Sequence, residues 1–224
     1  MPSNRAHSRG LFVTGTDTDV GKTAVAVAIV SDLVRRGMRV GVYKPVASGA
    51  DGAMSDAARL WEAAGRPLTL EAVCPQAFRA AIAPVQAAAL EGRRVDEQLL
   101  RTGFHAWPQI SDQVVVEGAG SLFSPLGEDT LNVHVARDLG LPLVVVDAAR
   151  LGAIGRTLGT VRAARAEGLE VALVVLSCVA PLDGDPHDPR TTAGVVRDAL
   201  EALAARLRPI PVRLLAHGAD RLTA

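Results

Sequence analysis

The order of residue types along the chain predicts an α/β domain with a mostly parallel sheet and helices on both faces. Short β-branched runs alternate with longer Ala-, Leu- and Arg-rich segments, the pattern of a sheet wrapped by crossover helices. Four of the β-branched runs are almost continuously apolar, Val114-Val115-Val116 and Leu143-Val144-Val145-Val146 among them, as strands covered on both faces require. A Gly-rich stretch also stands between the first apolar run and the first helical segment, where a strand would hand over to a helix.

The first expected strand is 11–14, after a polar N-terminal segment 1–10 read as flexible. Gly15-Thr16-Asp17-Thr18-Asp19-Val20-Gly21-Lys22-Thr23 follows it, a phosphate-binding loop in its strand–loop–helix setting. Its glycines let consecutive amide N–H groups converge on one anion, and the helix N-terminus adds partial positive charge at the same point. Lys22 supplies a mobile cation for the outer phosphates and Thr23 a hydroxyl ligand for magnesium. Asp17, Thr18, Asp19, Val20 and Gly21 complete the expected nucleotide-binding set. Five residues separate Gly15 from Gly21, one more than the usual four. The loop makes the expectation a single-domain P-loop NTPase fold over 11–224.

The remaining elements follow in order. Helix 22–36 is closed by Gly37. Strand 39–43 ends in Lys44-Pro45-Val46-Ala47-Ser48-Gly49, where Pro45 fixes the turn and Lys44 can project into a cleft. Alone, such a lysine is a solvated charge; beside bound triphosphate it becomes a candidate to offset charge on the transferring phosphoryl group. Helix 55–64 is closed by Gly65. Asp56 follows Ser55 there, where a carboxylate favours a helix N-terminus; a magnesium ligand is the other role its position fits. After helix 96–106, strand 113–116 delivers Glu117-Gly118-Ala119-Gly120, a carboxylate able to anchor magnesium and then glycines that permit close approach. Helix 130–139, strand 142–146, helix 153–167, strand 171–176, helix 191–207 and strand 211–214 complete the series. Ligands of such sheets collect at the carboxyl ends of the strands.

Composition excludes several classes. Apolar residues make up 49% of 224 but aromatics only 3%, so the core is built from Ala, Val and Leu. Twenty-four basic and 24 acidic residues cancel, which speaks against a nucleic-acid groove or an anionic membrane partner. Cys74 and Cys178 lack metal spacing, and no apolar run reaches the ~18 residues of a membrane span. The chain reads as cytoplasmic, its five histidines as packing or surface residues. The acidic loop 183–189 reads as solvated.

Taken together, Gly-Thr-Asp-Thr-Asp-Val-Gly-Lys-Thr, Lys-Pro-Val-Ala-Ser-Gly, Ser-Asp opening a helix and Val-Glu-Gly-Ala-Gly, in this order, resemble dethiobiotin synthetase from residue 11 to about 215. The resemblance implies closure of 7,8-diaminononanoate with CO2 to dethiobiotin, driven by ATP with Mg2+, in a homodimer. It implies that Lys22 and Lys44 serve the carbamate and phosphoryl oxygens and that Thr23, Asp56 and Glu117 hold magnesium. Thr18, Asp19, Ser48 and Gly118 would line the diamine and carbamate pocket, with Gly152 and Ala153 receiving the distal carboxylate. Ser177 and Pro211 would lie against the nucleotide base.

The chain departs from that pattern in places. Asp19 stands where the family often has Glu, Ser121 where it frequently has Gly, Gly155-Arg156 where it commonly has Asn-His, and Ser177 where many members have Asn. Arg156, near a helix N-terminus, is a further candidate partner for the distal carboxylate, an ordinary surface charge being the alternative. Cobyrinic and cobyric acid synthases share the strand–Glu-Gly-Ala-Gly style but add an amidotransferase domain for which there is no room. Partitioning-type positioning ATPases open the loop with an extra lysine where this chain has Thr14.

Overall fold

A computed structural model describes residues 10–49 and 55–223. In chain order the elements are β1 (Gly10–Gly15), α1 (Lys22–Arg35), β2 (Val40–Tyr43), β3 (Ala47–Ser48), α2 (Asp56–Ala63), α3 (Leu70–Val73), β4 (Ala77–Phe78), α4 (Pro84–Leu90), α5 (Leu99–Thr102) and α6 (Trp107–Ile110). They continue with β5 (Gln113–Ser121), α7 (Asn132–Leu139), β6 (Leu143–Ala148), α8 (Ala153–Ala166), β7 (Val171–Ser177), α9 (Thr192–Arg206) and β8 (Val212–Leu215). The main sheet is parallel throughout, in the order β2-β5-β1-β6-β7-β8; β3 and β4 form a separate parallel pair.

Val114, Val115 and Val116 of β5 and all of Leu143–Val146 in β6 are inaccessible to solvent. Consecutive strand residues point to opposite faces, so unbroken burial means that both faces are covered. Each fully buried Val or Leu contributes about 1.5–3 kcal/mol, and most of the few aromatics join the same core, with Phe12, Tyr43 and Trp107 completely enclosed and Phe123 exposed. β1 lies between β5 and β6, and the chain winds outward from it to opposite edges, which opens a crevice at its carboxyl end.

All six expected sheet strands are present, with shifts of a few residues at their ends. The expected helix 96–106 is corrected to the short helix α5, with α6 following beyond its end. Gly103 caps α5 tightly against Tyr43, whose hydroxyl donates to the Leu99 carbonyl at 2.8 Å. Pro108 has no N–H to carry a continuing helix, and it occupies the first turn of α6. Of the expected flexible segment 1–10, only Gly10 is among the described residues, and it opens β1. No helix among the described residues is long and apolar enough to cross a membrane.

Candidate nucleotide and phosphoryl-transfer site

The loop after β1 is shaped by backbone conformations that few residues accept. Gly21 has φ +90°, and a Cβ there would collide with the Ser177 hydroxyl, so only glycine fits. Asp19 is left-handed at φ 55°, which a short polar side chain tolerates better than an apolar one. The Asp17 carboxylate accepts from the Thr18 N–H at 2.8 Å, and Lys22 Nζ reaches back across the loop to the Asp17 carbonyl at 2.8 Å. Burial lowers the pKa of Lys22 below the ordinary 10.5; the ammonium of Lys44 adds to this, against Glu117, Asp56 and Asp19.

Beside the loop, β2 ends in Lys44 and β5 carries Glu117. Lys44 Nζ donates to Glu117 Oε1 at 2.6 Å and to Asp56 Oδ2 at 2.7 Å, and the Thr23 hydroxyl donates to the same Glu117 oxygen at 2.8 Å. Lys44 and Glu117 are buried, while Asp56 at the start of α2 is half-exposed. Burial alone would depress the Lys44 pKa. The charges of Glu117 and Asp56 and the hydrogen bonds Lys44 donates to both outweigh it, holding the ammonium above the usual lysine value. Burial would raise the Asp56 pKa, but the charge and hydrogen bond of Lys44 bring it below the usual aspartate value. Ser55 caps α2 by accepting from the Ala58 N–H at 3.3 Å, so Asp56 both favours the helix terminus and reaches the cluster.

These groups open on a cleft of about 720 Å³, a size suited to a nucleotide. Thr18, Asp19, Gly21, Lys22, Thr23, Lys44, Ser48, Asp56, Glu117 and Ser177 all line it. Asp17 and Val20 do not: the Asp17 carboxylate is used within the loop, and the Val20 side chain belongs to the core.

Four further expected residues lie elsewhere. Pro211 is corrected from base contact to an exposed position at the amino end of β8, its carbonyl accepting from the Val174 N–H at 3.0 Å; the cleft meets the opposite end of β8, at Leu215 and the segment after it to Asp220. Gly118 is buried in β5, where a Cβ would come within 2.6 Å of Asn132 Oδ1, and Ala119 and Gly120 line the cleft in its place. Gly152 is exposed and Ala153 buried in the core at the start of α8, both outside this chain's own cleft. Arg156 turns inward onto Asp147, at 3.1 Å, rather than presenting an unpaired charge. The loop 183–189 also stays outside the cleft. Sequence reasoning missed Arg59, which sits one turn after Asp56 on the same helical face and lines the cleft. It also missed His217, whose only signal was its closeness to the end of the last strand.

The residues present suit a magnesium ion. Glu117 Oε2 is buried without a hydrogen-bond partner, an anionic oxygen that a hard cation would satisfy. Thr23 Oγ1 and Asp56 lie beside it, so the donor set fits. Among the described residues no group of three or more His, Cys, Asp or Glu side chains could hold a metal alone, in keeping with an ion that takes its remaining ligands from phosphate and water.

A family model described as an AAA domain matches residues 9–216. The chain is 46% identical to the ATP-dependent dethiobiotin synthetase BioD of Rhodopirellula baltica over 182 residues, 74% of this chain and 71% of that protein. It is 45% identical to the protein of the same name from Anaeromyxobacter dehalogenans (strain 2CP-1), covering 84% and 85% of the two chains. For the Bacillus subtilis (strain 168) protein the identity is 36%, covering 84% and 81%. The chain belongs to the dethiobiotin synthetase family. Its fold is shared more widely. A nucleotide-binding protein from Archaeoglobus fulgidus solved in complex with ADP superposes with a TM-score of 0.54 at 12% identity, covering 95% of this chain and 83% of that one. The signal recognition particle receptor FtsY from Elizabethkingia anophelis superposes with 0.51 at 14%, covering 98% and 63%.

Proposed function

We propose that this protein is an ATP-dependent dethiobiotin synthetase, closing 7,8-diaminononanoate and CO2 to the cyclic urea dethiobiotin with release of ADP and phosphate. The observation that carries the reading is the Lys44 ammonium, buried between Glu117 and Asp56 beside the phosphate loop, in a chain 46% identical to a synthetase of that name. The path from carbamate through a carbamic–phosphoric anhydride to the ring needs no protein nucleophile. Positioning and charge compensation suffice, and Lys22 and Lys44 place two cations where phosphoryl and carbamate oxygens gain charge. Thr18, Asp19 and Ser48 supply polar groups for the diamine and carbamate. A magnesium ion held by Thr23, Asp56 and Glu117 would neutralise phosphate charge and orient the outer phosphates.

The reading extends to a homodimer. Gly152 and Ala153 lie outside the chain's own cleft, and the neighbouring Leu151 is 83% exposed, an arrangement that suits a second copy completing the site; light scattering of the purified protein tests it. The activity itself is tested by incubation with the diamine, bicarbonate, ATP and magnesium. Dethiobiotin detected by mass, with one ADP for each ring formed, is the expected result. ATP turnover that is indifferent to the diamine would overturn the reading.

A further inference from the structure

Asp147, near the end of β6, is fully buried and lies behind the cleft rather than in its lining. Its carboxylate gathers donors from three elements. Oδ1 accepts from the Thr16 hydroxyl at 2.6 Å, the Ala148 N–H at 2.8 Å and Arg156 Nε at 3.1 Å. Oδ2 accepts from the Thr157 hydroxyl and from Arg156 Nε, both at 3.2 Å. Thr16 opens the phosphate loop, and its own N–H donates to the Val146 carbonyl at 2.9 Å. The entrance of the loop is thus pinned to the end of β6 through both backbone and side chain.

The electrostatics of this arrangement are demanding. A buried carboxylate is costly unless it is paired, and this one stands directly behind a loop built to receive several phosphate charges. Gly15, next to Thr16, lies close under the Lys22 ammonium, where a Cβ would come within 3.1 Å of Nζ. Without a counter-charge, the Asp147 carboxylate would oppose any anion brought to the loop. Arg156 is its one ion-pair partner among the described residues, at 3.1 Å and with its side chain two-thirds withdrawn from solvent.

We propose that Asp147 and Arg156 form a charge-compensated clamp. Asp147 is a positioning residue that holds the entrance of the phosphate loop through Thr16, and Arg156 cancels its charge so that nucleotide phosphates are not repelled. Neither side chain needs to touch the nucleotide, and the proposal rests on the reading of the cleft as a nucleotide site.

Calorimetric titration of ADP into the full-length chain tests the clamp, with circular dichroism to check folding. Arg156→Ala strands the carboxylate and should weaken ADP about tenfold, the order expected of one uncompensated charge within about 10 Å. Adding Asp147→Asn to that variant removes the charge but keeps an acceptor for Thr16, and should restore affinity to within about threefold of the parent. Adenosine, which carries no phosphate, separates the clamp from a purely structural pair: its binding should be unchanged in Arg156→Ala, whereas a structural defect would weaken adenosine and ADP alike. Equal ADP binding by the parent and Arg156→Ala, or a double variant no better than the single, would overturn the proposal while leaving the nucleotide site intact. Should Arg156→Ala fail to fold, Asp147→Asn alone decides: it should bind ADP at least as tightly as the parent, and tenfold weaker binding would refute compensation. A parent that binds no ADP would overturn the reading of the cleft and the clamp with it.

Discussion

Lys44 and Glu117 meet at 2.6 Å where β2 and β5 run side by side, their side chains 4% and 0% exposed. Under the proposed function the pair has a structural and a catalytic side, which substitutions can separate. Lys44→Ala leaves Glu117 buried without its cation, so it should cost about 3–5 kcal/mol in urea unfolding as well as lowering kcat by ~10²-fold or more. Adding Glu117→Gln removes the stranded charge. The double variant should recover most of the stability and none of the rate, whereas recovery of both would mean that Lys44 acts only by neutralising Glu117.

In the proposed magnesium site Glu117 has a second role. Gln at this position keeps the shape and an acceptor for Lys44 and the Thr23 hydroxyl, but it removes the negative charge that a hard divalent cation requires. The magnesium concentration for half-maximal rate should rise at least ~10-fold in Glu117→Gln. An unchanged magnesium titration would take Glu117 out of the metal site.

Much of this architecture was legible because its signals are local. An apolar run such as Leu143-Val144-Val145-Val146 marks a doubly covered strand, and the spacing of Gly15, Gly21, Lys22 and Thr23 marks the loop without any tertiary information. The β3–β4 pair was invisible because two-residue strands carry no periodicity. α4 starts at Pro84 after Ala83, with no side-chain cap to announce it. At the site, Lys44 and Glu117 were readable as polar residues ending apolar strands. Asp147 carried the same signal at the end of β6, but its partners Thr16 and Arg156 come from 131 positions before and 9 after. Only the packed sheet brings them together. For the same reason the sequence offers Arg156 only as a partner for the distal carboxylate or as an ordinary surface charge, since its buried partner lies on another element.

Lys22 should set the alkaline limb of activity. Burial lowers its pKa from 10.5, whereas Lys44 is held above the usual value, so Lys22 is the first of the two to lose its proton as pH rises. Loss of that cation weakens engagement of the outer phosphates, and kcat/KM for ATP, which reports the free enzyme, should fall with an apparent pKa below 10.5. Lys22→Arg keeps a charge that does not titrate in this range. Its absolute rate should drop, but the limb should vanish; a limb that persists in Lys22→Arg belongs to another group.

The nucleotide base offers the last prediction. Ser177, at the carboxyl end of β7, is 2% exposed and packs against Gly21 at the floor of the cleft. A single hydroxyl can rotate to donate or to accept, so it discriminates poorly between base edges. An amide at this point would instead present an oriented donor and acceptor, a pair worth about 1–3 kcal/mol of discrimination. The cleft wall beyond Ser177 is formed by Cys178, Val179, Leu215 and the turn through His217 to Asp220, where His217 Nδ1 lies 3.3 Å from the Cys178 carbonyl. No side chain there repeats the paired geometry of an amide. We therefore expect relaxed nucleotide choice, with kcat/KM for CTP or GTP within ~30-fold of ATP, and partial recovery of ATP preference in Ser177→Asn. Kinetics with the four triphosphates measure this directly. An ATP preference above ~1000-fold in the unmodified protein would mean that backbone groups of the 215–220 turn read adenine without help from Ser177.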